Sequence, residues 1–493
     1  MLLLGVDIGT SSVKVSIVDS QTSQCLVSVR HPEAESPIIT TRPGWAEQSP
    51  MQWWQDVKTA IVKANAYGKY DPKNISTIGI AYQMHGLVLV NKEQKVLRNS
   101  IIWCDSRAVE YGNKAWENIG KKKCLDSLLN SPGNFTASKL AWVKENEPDI
   151  YRDIYKMMLP GDFIAMKFTG TITTTTSALS EGIFWDFKKD KISDDVLEYF
   201  QFNENIFPDI KPLFSQHGSL IKEVADELSL KPGIPISYKA GDQLNNAFSL
   251  NVMQPGEVAA TAGTSGVVYA VNDKLFSDKK SRVNAFAHVN HSYDKKRIGV
   301  LSCINGAGIM NSWIKNTTNV QDYEVMNKLA SKTKPGSEAM RVFPFGNGAE
   351  RIFENKIIGA QILNLDLNKH NESHLFRAVQ EGVAFAFRYG LDIMRENGME
   401  PSVIRAGKSN MFLSDVFLES FVNTTGVPVE LYSHDGSWGA ALGAGVGSGI
   451  YKTPDEAFQN FKPIIKVSPG KKTLYEELYN AWKKDLTNFI HDD

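Results

Sequence analysis

Cysteine is scarce in this sequence, and neither sign of charge is in excess. Lys and Arg number 54 and Asp and Glu number 55, so the formal net charge of -1 attracts neither nucleic acid nor an anionic membrane at long range. The four cysteines are too few to cross-link 493 residues and lack the paired spacing of a metal site. They are Cys25, Cys104, Cys124 and Cys303. These features predict free thiols in a reducing cytoplasm and a small molecule as the partner.

Long apolar stretches are missing as well. The sequence has no run of about 18 apolar residues for a membrane-spanning helix. Its apolar start, residues 1–4, passes at once into Gly5, Val6 and Asp7, without the basic and long apolar parts of an export signal. We therefore expect a soluble, cytoplasmic protein without a membrane partner.

The length exceeds that of one ordinary domain. At about 150 residues per domain the prior is about three domains, and two large α/β domains fit equally well. We expect two lobes, because a loop suited to phosphate occurs twice and the turn 231–235 precedes the second half. The predicted segments are an N-terminal lobe over 1–243, a C-terminal nucleotide-binding lobe over 244–450 and a closing helical segment over 451–493.

Apolar residues follow the periods of strands and helices in both halves. The apolar run 2–6, a Gly-Thr-Ser turn and the alternating run 13–17 predict a β-hairpin, and 258–271 repeats this pattern. Alternating strands and helices indicate layered α/β lobes whose ligands bind at strand ends. The other predicted elements are strands at 75–81, 87–90 and 101–103 and helices at 50–66, 375–386 and 474–490.

The turn after the first strand is the first candidate phosphate loop. Glycine lets backbone amides approach phosphate oxygens closely, and the neighbouring hydroxyl groups add donors. The predicted phosphate contacts are Thr10, Ser11, Ser12 and Lys14. Asp7, just before the turn, is a predicted Mg²⁺ ligand, since Mg²⁺ prefers oxygen. The alternative is an ordinary hairpin turn with a capping aspartate.

Gly241-Asp242-Gln243 is the second informative loop. Asp242 is the candidate general base that takes the proton of a substrate hydroxyl as it attacks the γ-phosphate, and it is also a predicted Mg²⁺ ligand. Alone, a turn aspartate bonded to its own backbone is the simpler interpretation. The first loop and the similar turn 263–266 together favour a site that grips nucleotide phosphates.

These motifs closely resemble those of the FGGY carbohydrate kinases, relatives of actin, hexokinase and the heat-shock ATPases. The resemblance extends from Asp7-Ile8-Gly9-Thr10 through the Asp242 loop to 439–444, and residues 375–385 resemble the family's long C-terminal signature. It implies an α/β, two-domain actin-like ATPase fold of the ribonuclease H-like type with an interdomain cleft. It also implies ATP and Mg²⁺ as cofactors.

Gln83-Met84-His85-Gly86 resembles the sugar loop of the family's xylulokinases, whereas an Arg-Glu pair is expected in its glycerol kinases. His85 suits hydrogen bonding to sugar hydroxyls, and Met84 suits contact with the carbon skeleton. The resemblance further implies sugar contacts at three positions, which are Trp103, Asp105 and Gln243. For Asp105 a salt bridge with Arg107 is an equal alternative, and Asp162 resembles a structural position.

For the nucleotide, the resemblance implies phosphate contacts at Gly263 and Thr264 and ribose contacts at Gly308 and Ser312. The adenine loop departs from the family pattern of three glycines. Residues 404–410 hold one glycine, so Ala406 or Gly407 is expected to approach the base, next to Asn410. Arg405 is expected to stack on or cover the base.

The sequence thus predicts an ATP-dependent sugar kinase that transfers the γ-phosphate of MgATP to a ketopentose hydroxyl, with D-xylulose converted to D-xylulose 5-phosphate. Alternatives are a kinase of the same family for ribulose, a hexulose, gluconate or glycerol, or an actin-like ATPase that is not a kinase. A homodimer is the common default for soluble oligomers. No residue pattern identifies an interface.

Overall fold

The computed structural model describes residues 1–491, which divide into two compact units. The first unit consists of Met1–Asn251, Phe286–Ile298 and His434–Phe461. The second consists of Val252–Ala285, Gly299–Ser433 and 462–491. Among residues 1–491 no helix combines the length and the apolar composition that crossing a membrane requires.

Strands and helices alternate along the chain. The strands are β1 Leu2–Ile8, β2 Val13–Asp19, β3 Cys25–His31, β4 Glu47–Gln48, β5 Ile75–Tyr82, β6 Val88–Val90, β7 Ser100–Ile101, β8 Lys156–Met158, β9 Thr173–Thr174, β10 Trp185–Asp186, β11 Lys191–Ile192, β12 Asp209–Ile210, β13 Ile236–Gly241, β14 Glu257–Ala262, β15 Gly266–Asn272, β16 Asn284–Ala287, β17 Ile298–Ile304, β18 Arg341–Phe345, β19 Gly359–Leu363, β20 Val403–Gly407, β21 Val429–Tyr432 and β22 Ile465–Val467. The helices are α1 Pro50–Ala66, α2 Val109–Ile119, α3 Lys121–Ser127, α4 Thr136–Asn146, α5 Pro148–Arg152, α6 Pro160–Thr169, α7 Thr176–Glu181, α8 Asp194–Phe200, α9 Lys222–Glu227, α10 Asp242–Ser249, α11 Ala307–Thr317, α12 Tyr323–Ala330, α13 Glu372–Glu396, α14 Asp415–Thr425, α15 Gly436–Gly447, α16 Pro454–Ala457 and α17 Lys472–His491.

The first unit is built on a five-stranded sheet of order β13-β5-β1-β2-β3. Strand β1 pairs antiparallel with β2 and parallel with β5, and β5 pairs parallel with β13. Helix α15 packs closely on this sheet because both surfaces carry small residues. A Cβ atom at Gly5 or Gly79 would clash with the backbone of α15, which fixes the distance between the helix and the sheet.

The second unit repeats this arrangement. Its sheet has the order β16-β17-β15-β14-β20-β21-β22, in which β14 pairs antiparallel with β15 and parallel with β20. The run β17-β15-β14-β20-β21 therefore matches β3-β2-β1-β5-β13 in order. The doubled lobe expected from the two hairpin patterns is confirmed, and the turn 263–265 takes the place of the turn 9–12.

The predicted helices are present where the sequence has a capping residue or a long run of apolar residues at helical spacing. Helix α1 begins at Pro50, with the Ser49 hydroxyl accepting a hydrogen bond from the Gln52 amide at 3.3 Å. The closing helix predicted at 474–490 is present as α17, and its apolar Leu474 is 40% exposed. The buried residues on that helix are Tyr475, Tyr479, Trp482 and Leu486. Three aromatic side chains and one leucine of α17 thus cover the core.

The two units differ from the predicted segments, which ended at 243 and 450. Residues 286–298 and 434–461 return to the first unit, and the segment after 450 is shared between both units. Returns of this kind depend on contacts between distant residues, which leave no local pattern in the sequence.

His217 in the first unit predicts an acid-sensitive step in stability. Its Nε2 donates to the Leu213 carbonyl (3.2 Å) and its Nδ1 faces the Thr173 hydroxyl (3.1 Å). Burial, with a smaller contribution from the Lys239 charge, lowers the pKa of His217 to about 3. The unfolded chain binds this proton below about pH 6.5, so stability falls as pH decreases from 6.5 towards 3, by about 2 kcal/mol near pH 5.

The His217→Gln variant is expected to flatten this dependence. Glutamine retains a donor for the Leu213 carbonyl and does not titrate. Urea unfolding at pH 5, 6 and 7 tests the expectation. An equal loss of stability on acidification in wild type and variant would contradict it.

Candidate active site

Two acids and the predicted sugar loop meet at one edge of the first unit's sheet. Strands β1, β5 and β13 are parallel, and Ile8, Tyr82 and Gly241 share one row of the ladder. Asp7 lies at the end of β1 and Asp242 is the first residue of α10, directly after β13. The carboxyl edge of a parallel sheet is where ligands usually bind.

Burial and nearby negative charge raise the pKa of both acids above its ordinary value. Loss of solvation, followed by the negative charge of Asp7, raises the pKa of Asp242 to about 7. Burial raises the pKa of Asp7 to about 6, with the nearby Lys14 opposing and Asp435 adding to the shift. A carboxylate with a pKa near 7 is well matched to accepting a proton at neutral pH.

Glycine and asparagine keep the space beside Asp7 narrow. A Cβ atom at Gly436 would collide with the Asp7 carboxylate, and the Asn245 side-chain amide donates to the Gly436 carbonyl at 2.8 Å. Gln243, predicted to contact sugar, is partly buried, and its amide groups hydrogen bond to Asp242. These contacts fix the acids relative to the starts of α10 and α15.

A hydrogen-bond network joins the first turn to the sugar loop. The Thr10 hydroxyl donates to Gln83 Oε1 (3.3 Å) and accepts from Trp103 Nε1 (2.9 Å). The Gln83 amide donates to Gln48 Oε1 at 2.9 Å, and Gln48 donates to the Thr10 carbonyl at 2.8 Å. Three predicted contacts, Thr10, Gln83 and Trp103, are thus brought together. The indole of Trp103 remains 47% exposed.

His85 is held in an unusual backbone conformation. Its φ is 63°, and the Lys139 ammonium donates to its carbonyl at 2.8 Å. Its Nδ1 lies 2.9 Å from the Glu181 carbonyl, so Nδ1 carries the proton. The ring packs on Phe135, with ring centroids 4.8 Å apart. The left-handed residue turns the chain sharply after Met84, whose side chain lies against Gly241.

Glu181 is a residue of this region that the sequence did not indicate. It ends α7, is fully buried, and its carboxyl group lies against Gly241. Burial and the charge of Asp242 raise the pKa of Glu181 well above its ordinary value. A single glutamate after a threonine-rich tract carries no local signal of such a position.

The salt bridge with Arg107, which was the alternative for Asp105, is present. The Asp105 side chain has no exposed surface, and it accepts hydrogen bonds from the Ala46 amide (2.6 Å) and from Arg107 Nη2 (2.7 Å). The Arg107 guanidinium also pairs with Glu47 (2.7 Å) and lies 3.7 Å from the Trp45 ring centroid. The Asp105 carboxylate therefore already accepts hydrogen bonds from Ala46 and Arg107, and we do not include Asp105 in the proposed sugar site.

The predicted phosphate turn is closed on itself. The Gly9 amide donates to the Ser12 carbonyl at 3.0 Å, and the Ser12 hydroxyl accepts from Arg30 at 3.0 Å. The Ser11 carbonyl accepts from the Ser36 amide at 2.8 Å. Lys14 stands opposite Asp7 in the β1–β2 ladder.

The second unit contains a cavity of about 410 Å³ beside the turn between β14 and β15. Its walls are formed by Ala262, Gly263, Thr264, Gly308, Ile309, Asn311, Ser312, Tyr323, Asn327, Gln380, Asn410, Met411, Leu413 and Ser414. Gly308 has to be glycine here, because a Cβ would overlap the Gly263 carbonyl. The Ile309 amide donates to the Thr264 carbonyl at 3.0 Å, which ties α11 to the turn.

Comparison with known proteins identifies the family to which this chain belongs. A model of the N-terminal domain of the FGGY family of carbohydrate kinases matches residues 2–249, and a model of the C-terminal domain matches 258–448. The chain belongs to the FGGY family of carbohydrate kinases. It is therefore a carbohydrate kinase, and ATP is the phosphate donor of this family.

Curated relatives and solved structures resemble this FGGY kinase over most of their length. The chain is 28% identical to xylulose kinase of Escherichia coli over 94% of this chain and 93% of the relative. It is 26% identical to xylulose kinase of Bacillus subtilis over 99% and 97%. The crystal structure of a xyloylose kinase from Brucella ovis aligns with a TM-score of 0.90 at 25% identity over 100% of both chains. Plasmodium falciparum glycerol kinase with ADP aligns with a TM-score of 0.89 at 19% identity over 99% and 98%.

These matches establish the fold. The two-domain actin-like ATPase fold expected from the sequence is confirmed. The repeated strand order of the two units is the structural basis of that agreement.

The adenine loop of this FGGY kinase differs from the expectation. In the part of the chain that the structure describes, Arg405 is not part of the cavity wall, and its guanidinium pairs with Glu257 and Glu430 at 3.1 Å each. Within the described chain the cavity wall does not include Ala406 or Gly407, which lie in strand β20. The expected Asn410 does line it.

Several wall residues were missed by the sequence. Tyr323 and Asn327 are one helical turn apart on α12, and Gln380 lies inside the long helix α13. The spacing of four residues places two side chains on one helix face, but it does not distinguish a cavity wall from a packed surface.

Proposed function

We propose that this FGGY kinase transfers the γ-phosphate of MgATP to a hydroxyl of a ketopentose and converts D-xylulose to D-xylulose 5-phosphate. The observation that carries the proposal is Asp242, a carboxylate with a pKa raised to about 7 at the edge that also holds Met84 and His85. The xylulose kinases that match over more than nine tenths of the chain support this substrate.

Asp242 acts as the general base. The sugar hydroxyl loses its proton to the Asp242 carboxylate while its oxygen forms a bond to the γ-phosphorus. The bond from that phosphorus to the β–γ bridging oxygen breaks, and ADP leaves. Phosphoryl transfer depends mainly on positioning and on stabilising charge, so the rigid location of Asp242 at the start of α10 matters as much as its basicity.

The sugar loop orients the substrate. Gln83 and Trp103, joined through Thr10, form one side of the site with the Trp103 ring partly exposed, while Met84 supplies an apolar surface for the carbon chain. His85 is fixed by Lys139 and by the Glu181 carbonyl, so its ring has one orientation. This set of neutral groups suits an uncharged ketose better than an anionic acid.

Each unit contains one turn that suits the phosphate groups of a nucleotide. We assign phosphate contacts to the backbone amides of 10–12 and to Lys14 in the first unit, and to Gly263 and Thr264 in the second unit. The hydroxyl of Thr10 is engaged by Gln83 and Trp103, so its backbone amide is the group available for phosphate.

The two acids fit a magnesium ion. Asp7 and Asp242 are close enough for the charge of Asp7 to raise the pKa of Asp242, and a divalent cation would offset that repulsion. Among residues 1–491 no group of three or more His, Cys, Asp or Glu side chains is placed to hold a metal alone. Mg²⁺ is usually bound by one or two carboxylates together with substrate phosphates and water. When bound, it neutralises charge on the transferred phosphate.

Sugar-dependent release of ADP tests the proposal. Purified protein with MgATP is assayed against D-xylulose, D-ribulose, a ketohexose, gluconate and glycerol, and the phosphorylated product is identified by NMR. D-xylulose is expected to give the largest increase and to yield the 5-phosphate. If no compound raises ADP release above the sugar-free rate, the proposal is wrong; a larger response to another compound would overturn the choice of xylulose.

A further inference from the structure

Three polar side chains in the wall of the nucleotide cavity form a hydrogen-bond relay. The Ser414 hydroxyl donates to Gln380 Oε1 at 2.6 Å, and Gln380 Nε2 donates to Asn327 Oδ1 at 2.9 Å. Ser414 and Gln380 are 3% and 1% exposed, so neither exchanges its partner readily for water.

The relay has a fixed direction. The Ser414 hydroxyl caps α14 by accepting from the Phe417 amide at 3.3 Å, which leaves its own hydrogen for Gln380. Gln380 then accepts through oxygen and donates through nitrogen, and Asn327 accepts through its oxygen. The Asn327 amide nitrogen is consequently left as a donor, and within residues 1–491 no group accepts a hydrogen bond from it.

A buried amide, that of Asn311, points to a polar ligand in the same cavity. Asn311 is 6% exposed and lines the cavity, and its Oδ1 is buried without a hydrogen-bond partner in the described chain. Buried polar atoms are usually paired. A ligand that donates to Asn311 and accepts from Asn327 would satisfy both side chains.

The order of the wall residues indicates which part of a nucleotide reaches Asn327. Gly308, at the start of α11, touches the Gly263 carbonyl of the phosphate turn, and Asn311 lies one helical turn further along α11. Asn327 belongs to α12, which packs on α13 and α14. A nucleotide with phosphates at the turn therefore extends its base towards the relay.

We propose that Asn327 selects adenine, with its amide nitrogen donating to the unprotonated N1 of the base and the Ser414–Gln380 relay holding the amide in that orientation. N1 lies on the edge of the purine opposite the ribose. Hypoxanthine and guanine carry a hydrogen on N1. In these bases the N1–H donor would meet the N–H donor of the Asn327 amide, and no hydrogen bond could form. The inference rests on the proposed use of ATP, and it assigns base specificity to a residue outside the glycine-poor adenine loop.

The selectivity ratio between ATP and inosine triphosphate tests this inference. Dissociation constants are measured by calorimetry without sugar, so the result does not depend on turnover. Wild type is expected to bind ATP at least about tenfold more tightly, because the Asn327 donor cannot pair with the hydrogen that hypoxanthine carries on N1. Asn327→Leu is expected to weaken ATP about tenfold and to bring the ratio close to one.

Two further variants separate recognition from general damage. Asn327→Asp replaces the donor with an acceptor and is expected to shift the ratio towards inosine triphosphate. Gln380→Glu removes the donor to Asn327 and should lower the ratio although Asn327 is intact. Asn316→Leu, an exposed site on α11 outside the cavity wall, is the matched control and should bind as wild type does.

The outcomes distinguish this inference from the proposed function. A wild type without preference for ATP, or an Asn327→Leu variant that keeps the wild-type ratio, overturns the role of Asn327 and leaves the kinase proposal standing. A wild type that binds neither triphosphate overturns both.

Discussion

Replacing Asp242 with asparagine is expected to lower kcat for sugar phosphorylation by about 10²- to 10⁴-fold. Asparagine preserves the shape of the side chain but cannot take the proton of the attacking hydroxyl at neutral pH. Sugar affinity, measured by equilibrium binding, should change little, since the sugar loop is held by separate contacts through Thr10 and Lys139. A loss in kcat without a comparable loss in binding is the signature of an interaction made in the transition state.

Asp415→Asn is the matched control for this change. Asp415 is likewise the first residue of a helix, α14, but it is exposed and belongs to the second unit. Its substitution should leave kcat within about twofold of wild type, because a surface charge at a helix start affects chiefly local stability. Near-normal turnover of Asp242→Asn, with product confirmed by NMR, would refute the assignment of Asp242 as base.

The sequence predicted the parts of the fold that depend on neighbouring residues, namely turns, alternating apolar strands and helix caps. The turn at 9–12 and the turn between β14 and β15 were found because small residues interrupt two alternating apolar runs. The start of α1 was found because Ser49 and Pro50 form a recognisable cap. From these hairpins the doubled architecture followed, and the family resemblance placed Asp242 at the site.

Contacts between distant residues could not be read in this way. Arg405 was expected to cover the base, but Glu257 and Glu430 on neighbouring strands pair with it. The relay joins Asn327, Gln380 and Ser414, which are separated by 53 and 34 residues. Helical periodicity shows which side of a helix is covered, but it does not identify the residue that covers it.

Asp162 illustrates a structural assignment that the geometry explains. Its carboxylate accepts from the Lys239 ammonium at 2.6 Å, and both side chains are 1% exposed. Lys239 also donates to the Thr173 carbonyl at 2.6 Å and hydroxyl at 3.2 Å. Burial lowers the pKa of Lys239, and the charge of Asp162 opposes that shift. Lys239 lies on β13, the strand that leads into Asp242. The buried pair therefore holds in place the strand that carries Asp242.

Asp162→Asn is therefore expected to reduce the free energy of unfolding of the first unit by about 3–5 kcal/mol, because it leaves a buried ammonium group without its counter-charge. Urea unfolding followed by tryptophan fluorescence measures the loss. Asp149→Asn, which breaks an exposed pair with Arg152, should not shift the midpoint. Changing both partners, Asp162→Leu with Lys239→Met, should recover much of the loss, since the cost comes from the unpaired charge. If the single variant unfolds at the wild-type urea concentration, the buried pair does not stabilise the strand that carries Asp242.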